Sequence, residues 1–544
     1  MKRLLLLSVM FCIGVLQGFA QSTSFTYTDE NGVNWDCSVD YSSIVMPDGS
    51  WKDTTIVSIN NASNYGEEVT VPGVVKYEGK EYTVTQLSST FSNNQTLKKV
   101  TLPKSATSLF NTFYGCTLLS EVVNSDQILY CFRTFYECSS LKSIDLSNCK
   151  TIGPDTFVNC YNLQSINLKK CITIESQAFT NCYNLQSVGD LSSCTTIMSR
   201  AFASCSSLKS IDISNCNSLD SYVFQGCSKL EEVKLSKQIN KINESIFSEC
   251  TNLKSIDLSN CTSIGGNAFS ECRSLTSVEN TALLSSIQGS AFSGCVNLTN
   301  IDLSNCTSIG DNAFNSCAKL SNINLSKCKL FGNYAFAHCT NLTEVDLSSC
   351  SSLAESVFRG CSNLKTIKGI ENFTTIPANA FEGTGIETLP LPLCTTIQKA
   401  AFKECMQLKS VNLPKCESIE GYKPEYGEGE GAFKDCNNLQ EVDLPSCINI
   451  EGYAFYSCPK LSSINIPVCQ TIGEKAFAYC DNLNEVSLPN TIQKLGYKCF
   501  NGNTSLTLYA KNVPALDRYP GTMSESDTLA LGKNVLIIVP EESL

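Results

Sequence analysis

Apolar and polar positions along this chain fall into one short pattern repeated almost end to end. In Leu141–Cys160, LKSIDLSNCKTIGPDTFVNC, Ile144 and Leu146 alternate with Ser143, Asp145 and Ser147. That alternation is the period-two signature of a half-buried strand. The second half sets Ile152, then Gly153 at a bend, then Phe157 and Cys160. It reads as a short extended piece followed by one helical turn, and Leu163 opens the next strand. Near copies stand at Leu253–Cys272 and Leu298–Cys317. The anchoring Phe recurs nineteen times from Phe91 to Phe500, most often 22 or 23 residues apart. Repetition at one period predicts a solenoid, which offers a long surface instead of enclosing a pocket.

One coil of this length buries too little apolar surface to fold alone, so neighbouring coils must supply hydrogen bonds and core. Strands in successive coils then align in parallel, about 4.8 Å apart. The predicted fold is an α/β repeat solenoid with a parallel β-sheet on its concave face, short strands and helical turns elsewhere, and a small β cap at the N-terminus.

The flanks break the pattern. Residues 1–20 carry Lys2 and Arg3, an apolar stretch from Leu4 to Leu16 and the small-residue ending Gly18-Phe19-Ala20. That is the layout of a Sec-type signal peptide cleaved near Ala20, so the mature chain is expected to be secreted or held at the cell surface. The apolar run is too short to span a membrane. Residues 21–84 hold Trp35, Trp51 and turn signals at Asn31-Gly32 and Asp48-Gly49, and predict an N-terminal cap of β-strands. The repeats are expected over 85–509. Residues 510–544 read as a closing segment, either short or truncated, and closing strands are expected at Leu506–Leu508 just before it and at 513–516 and Val535–Val539 within it.

The first half of the unit, L-x-x-L-x-L-x-x-C, resembles the leucine-rich-repeat signature. With the following T-x-I-G-x-x-A-F-x-x-C it is similar to the BspA-type leucine-rich-repeat family of bacterial surface proteins, over roughly Val69 to Tyr509. Val69–Leu87 resembles the strand pair that precedes the first repeat in that family. The resemblance implies adhesion to host proteins or to other cells. The alternative weighed beside it is a glycan-binding component of a surface nutrient-uptake system.

Charge and chemistry narrow the field further. A net charge of −12 argues against nucleic acid and anionic membranes as partners. The chain has 32 Cys and one His, with no C-x-x-C, no G-x-S-x-G and no phosphate loop. An enzyme, a cofactor and a metal site are therefore not expected. Equivalent cysteines on adjacent coils would hold their Cβ atoms about 4.8 Å apart, beyond the roughly 3.8 Å a disulfide needs. Buried free thiols are the expectation, with Cys37, Cys131 and Cys499 outside the lattice and likelier to pair or react.

Two features carry candidate binding residues. The first is the column between Ile and Leu of each strand: Asp145, Asn167, Asp212, Asp257, Asp302, Asn324, Asp346 and Asp443. It is either a solvated sheet face or a polar groove for a protein or glycan ligand. The second is an insertion: Phe402 and Phe433 are 31 residues apart, the extra residues falling within Gly421–Gly431, GYKPEYGEGEG. Tyr422 and Tyr426 would be exposed there. A monomer is expected.

Overall fold

Each coil turns both apolar halves of its repeat inward. In Leu253–Cys272 the side chains of Leu253, Ile256, Leu258, Cys261, Ile264, Phe269 and Cys272 are at most 2% exposed, while Ser255 and Asp257 face solvent. The structure, a computed structural model, describes residues 22–45, 51–422, 429–503, 506–510, 515–516 and 535–538. The expected leader, the Asp48-Gly49 turn and Tyr426 lie outside the described residues. The chain divides into two compact units, Met1–Ile239 and Asn240–Leu544.

Within each unit, coils are joined by two parallel ladders. The S-I-D strands form the first. Ser143–Asp145 pairs with Ser165–Asn167, Ser210–Ile213 with Glu232–Leu235, and Ser255–Asp257 with Ser277–Glu279. The T-I dipeptides form the second and more continuous ladder. It contributes to a ten-stranded sheet in the first unit, and in the second to a seven-stranded sheet from Thr375–Ile376 to Ala515–Leu516. Two-residue strands suffice because each rests on near-identical neighbours above and below.

Three N-terminal strands start the second ladder. β1 (Ser22–Thr28), β2 (Asn34–Val45) and β3 (Trp51–Ser63) form an antiparallel meander, its first turn using Gly32 at φ 79°. β3 then pairs in parallel with Gln86–Ser88, placing Ile59 beside Leu87. Trp35 is fully buried, meets the Phe91 ring edge-on at 6.2 Å and donates its indole N–H to Asp29 at 3.0 Å. At the other end, Val535–Ile538 pairs with Leu506–Tyr509, and Ala515–Leu516 with Lys494–Leu495.

The expected helical turn is wrong, and with it the α/β class. Among the described residues there is no α-helix, only a 3₁₀ turn at Ile370–Asn372. Around Phe269 the backbone does something else. Asn267 and Glu271 adopt positive φ, 54° and 62°. The N–H groups of Asn267, Phe269 and Glu271 therefore donate to Gly289, Ala291 and Ser293 of the next coil at 3.0, 2.7 and 2.7 Å. The Phe corner is thus a third ladder between coils. The physical reason is spacing. Phe269 and Phe292 stack with ring centroids 5.1 Å apart, whereas neighbouring helices need axes about 8–10 Å apart. A helix would also bond to itself and leave that side of the stack unjoined. The molecule is a β-solenoid of stacked coils.

Gly153, read as a bend, has a different role. A Cβ there would lie 2.6 Å from the Cys131 carbonyl oxygen and the Phe132 ring. The glycine lets the preceding coil approach.

All described cysteines, Cys37, Cys131 and Cys499 among them, are free and buried. Those three are as enclosed as the lattice thiols, which corrects the expectation that they stand apart. Cys131 occupies the apolar site of the second ladder between Leu109 and Ile152. Lattice thiols also donate hydrogen bonds. Cys272, Cys295 and Cys317 each reach the Phe carbonyl of the preceding coil at 3.1 Å.

Candidate functional site

The strand column predicted from sequence lies on the outer side of the first ladder. Asp145, Asn167, Asp212, Asp257, Asp302 and Asn324 are exposed, and Asp346 and Asp443 half-buried. Each of the first seven has a local task that the periodicity did not reveal. The side-chain oxygen accepts the backbone N–H two residues on, closing an Asx turn that ends the strand. Asp145 takes Ser147 at 2.9 Å, Asn167 takes Lys169 at 3.3 Å and Asp212 takes Ser214 at 3.1 Å. Asp257, Asp302, Asn324 and Asp346 take Ser259, Ser304, Ser326 and Ser348 at 3.0, 2.9, 3.1 and 3.0 Å. Asp443 departs from the rule because Pro445 has no N–H to give. Its carboxylate accepts instead from the Asn465 carboxamide at 2.8 Å.

At Asp212, Asp302 and Asp346 the turn biases the carboxylate toward its charged form. Donation from the hydroxyl and then the N–H of Ser304 holds the Asp302 carboxyl below its usual range, and Ser348 does the same for Asp346. Asp212 is held low by Ser214 first, with Lys234 beside it at 3.4 Å. The backbone N–H of each turn is taken by one oxygen, Oδ1, of the carboxylate.

The first ladder loosens in the second unit. Ser255–Asp257 and Ser277–Glu279 are fully in register, but beyond them only single bridges, Ser277 to Asn300 and Asn300 to Asn322, join the coils. Regular pairing returns at Glu344–Asp346 with Thr366–Lys368. Over the loosened stretch the surface sinks into a groove of about 840 Å³. Its apolar floor includes Val278, Ile301 and Ile323, and its polar lining includes Glu279, Asn280, Asn300, Asp302, Asn322, Asn324 and Glu344.

Of the predicted column, the groove brings together Asp302 and Asn324. Asp145 lines a smaller depression of about 290 Å³ in the first unit with Glu121, Asn124 and Asp126. Asn167, Asp212, Asp257, Asp346 and Asp443 line neither. Glu279, Asn300, Asn322 and Glu344 escaped the sequence reading. Glu279 follows Val278 in a strand that lacks the closing Leu, and the others occupy the flanking row read as serine. Counting register outward from Asp257 would have found Glu279, since the two are paired.

The insertion forms a second feature. Gly421–Tyr422 pairs antiparallel with Glu430–Gly431, so its two ends meet. The Gly421 N–H donates to the Glu451 carboxylate at 2.9 Å, and Lys399 sits over the half-exposed Tyr422 ring at 5.1 Å. Lys403 links Glu430, at 4.0 Å, to the buried Glu382, at 3.3 Å, which also holds Arg359 at 3.1 Å. The base of this hairpin is anchored on the stack.

Repeats of this kind have a family. The sequence pattern of the BspA type leucine rich repeat region matches in six copies, over residues 82–186, 150–276, 252–352, 329–424 and 428–514. The chain belongs to the BspA-type leucine-rich-repeat family. Some solved structures are similar to it. A leucine-rich repeat protein from Bacteroides ovatus is 23% identical, with a TM-score of 0.45, covering 83% of this chain and 94% of that one. A leucine rich cell surface protein from Faecalibacterium prausnitzii is 20% identical, with a TM-score of 0.32, over 82% and 95%. The pneumococcal vaccine antigen PcpA is 15% identical, with a TM-score of 0.31, over 95% and 99%. No curated protein matches the chain by sequence. Among the described residues of this BspA-type chain, no helix is long and apolar enough to cross a membrane. Leucine-rich repeats of this kind serve protein interaction.

Proposed function

We propose that the chain is an exported interaction protein of the bacterial surface, adhering to host proteins or other cells through the strand face of its repeats. In this reading residues 1–20 are the leader, 21–84 seal the first coil, 85–509 are the binding array and 510–544 close it. The observation that carries the proposal is the groove at Glu279–Glu344. It lies on the exposed side of the strands, spans several coils, and is lined by carboxylates and carboxamides over an apolar floor. Such a surface meets an extended partner at many points, each contributing little. The glycan reading has less support here, because no aromatic ring lines the groove for a sugar to stack on.

The test is capture of extracellular host proteins by the mature chain, followed by titration of each captured protein. The wild type is compared with a groove-blocking variant, Asn300→Trp with Asn322→Trp, and with a deletion of residues 423–428. Loss of binding in the blocked variant alone supports the strand face. Loss in the deletion alone moves the site to the hairpin, and a sugar-only ligand overturns the adhesion reading.

A further inference from the structure

We propose that the occupant of the groove is an extended polypeptide segment bearing several Lys or Arg side chains. This rests on the strand-face reading and names its partner chemistry.

Three observations converge. The first is charge. The groove lining contains Glu279, Asp302 and Glu344 and no Lys or Arg. Among the described residues, none of these three carboxylates forms an ion pair with a basic side chain. At three other places on the surface a carboxylate is matched: Lys234 sits 3.4 Å from Asp212, Lys99 3.1 Å from Glu121, and Lys409 2.8 Å from Glu387. An arriving cation therefore gains attraction at the groove that is already satisfied at those other places.

The second is hydrogen-bonding capacity. Asn300 and Asn322 present carboxamides, each able both to donate and to accept. Asn324 uses its oxygen in the Asx turn, which leaves its NH₂ as a donor. A peptide backbone offers the complementary N–H and C=O at every residue, whereas a metal ion or a protonated polyamine offers no acceptor to the carboxamide N–H donors.

The third is shape. The lining comes from four successive coils, which at about 4.8 Å each span about 14 Å, the reach of four or five extended residues. The floor of Val278, Ile301 and Ile323 is apolar and suits the aliphatic stems of Lys and Arg, whose charged heads then reach the rim.

The experiment uses the mature chain and two fluorescein-labelled octapeptides, Lys-Ser repeated four times and Glu-Ser repeated four times. Binding is read by anisotropy at low and at high salt. The key variant is Glu279→Gln, Asp302→Asn, Glu344→Gln, which removes the charges yet keeps an acceptor for the Ser304 turn. The control is Asp145→Asn with Asp212→Asn on the first unit, and circular dichroism checks the fold of each. The wild type is expected to prefer the basic peptide and to lose it on adding salt. The triple variant should weaken it by about tenfold, the product of three exposed pairs each worth a fraction of that, while the control changes it little. No preference for the basic peptide, or equal affinity in the triple variant, overturns the proposal. The proteins captured from the extracellular fraction separate the two levels. If the Trp-blocked chain loses them and the triple variant keeps them, the strand face stands and the basic partner falls. If neither variant loses them, both fall.

Discussion

Each coil has a Phe corner and an Asp corner, and the two obey different rules. At the Phe corner the same ring recurs from Phe91 to Phe500, and every described member of the column is at most 1% exposed. The rings stack at 5.1–5.8 Å, alternate N–H groups cross to the next coil, and thiols reach back to the preceding one. At the Asp corner the residue in register is Asp, Asn, Gly, Lys or Glu, as at Asp145, Asn167, Gly189, Lys234 and Glu279. One corner has neighbours on all sides and admits one shape. The other has solvent on one side and only a turn to close. Identity is demanded where coils meet, and variation is permitted where a partner would be met.

The largest expected break in this contrast comes from alkali. Burial pushes the Cys116, Cys227 and Cys361 thiols up from about 9 to about 12. The folded chain thus favours the neutral thiol, and its stabilisation is complete below pH 9. It should fall as pH climbs from about 9 toward 12, because the unfolded chain ionises first. Denaturant midpoints measured across that range check it. In the same material, a thiol reagent at neutral pH should find almost nothing until denaturant is added, and most cysteines thereafter. A chain found largely oxidised would contradict the buried-thiol account.

Phe269→Ala should come next, costing about 3–5 kcal/mol in a thermal melt, since rings on both sides keep the cavity from collapsing. Asn267→Val places a β-branched residue at φ 54°, and should cost about 2 kcal/mol while Asn267→Gly costs little. At the Asp corner the effects shrink. Asp302→Ala loses the Ser304 turn and should cost about 1 kcal/mol, and Asp302→Asn, which keeps the acceptor, under about 0.5. If Asp302→Ala matched Phe269→Ala, the two corners would not differ in kind.

Legibility in the sequence followed the same division. The Phe column, the S-I-D strands and the buried cysteines were readable because side-chain burial repeats at a fixed spacing. The helical turn was misread because D-T-F and N-A-F resemble a helix start. What excludes a helix is the distance to the next coil, which no single unit displays. The Asx turns were hidden because an Asp that closes a turn and an Asp that waits for a ligand look alike in a one-dimensional pattern. Half the groove was missed for a related cause. Glu279 and Glu344 belong to a site through register between coils, and the column was read by resemblance among coils.

The insertion after Ile419 shows what the stack tolerates. Ile419 still sits beside Ile450, and the Phe402 and Phe433 rings still stack at 5.4 Å, although 31 residues separate the two Phe. Because Gly421 and Gly431 meet as a pair, the excursion leaves and returns at one point, and the coils on either side keep their spacing whatever its length. This position is therefore a natural docking port for foreign sequence: an epitope, a tag or a small domain with adjacent termini could be spliced between residues 422 and 430 without disturbing the columns beneath it.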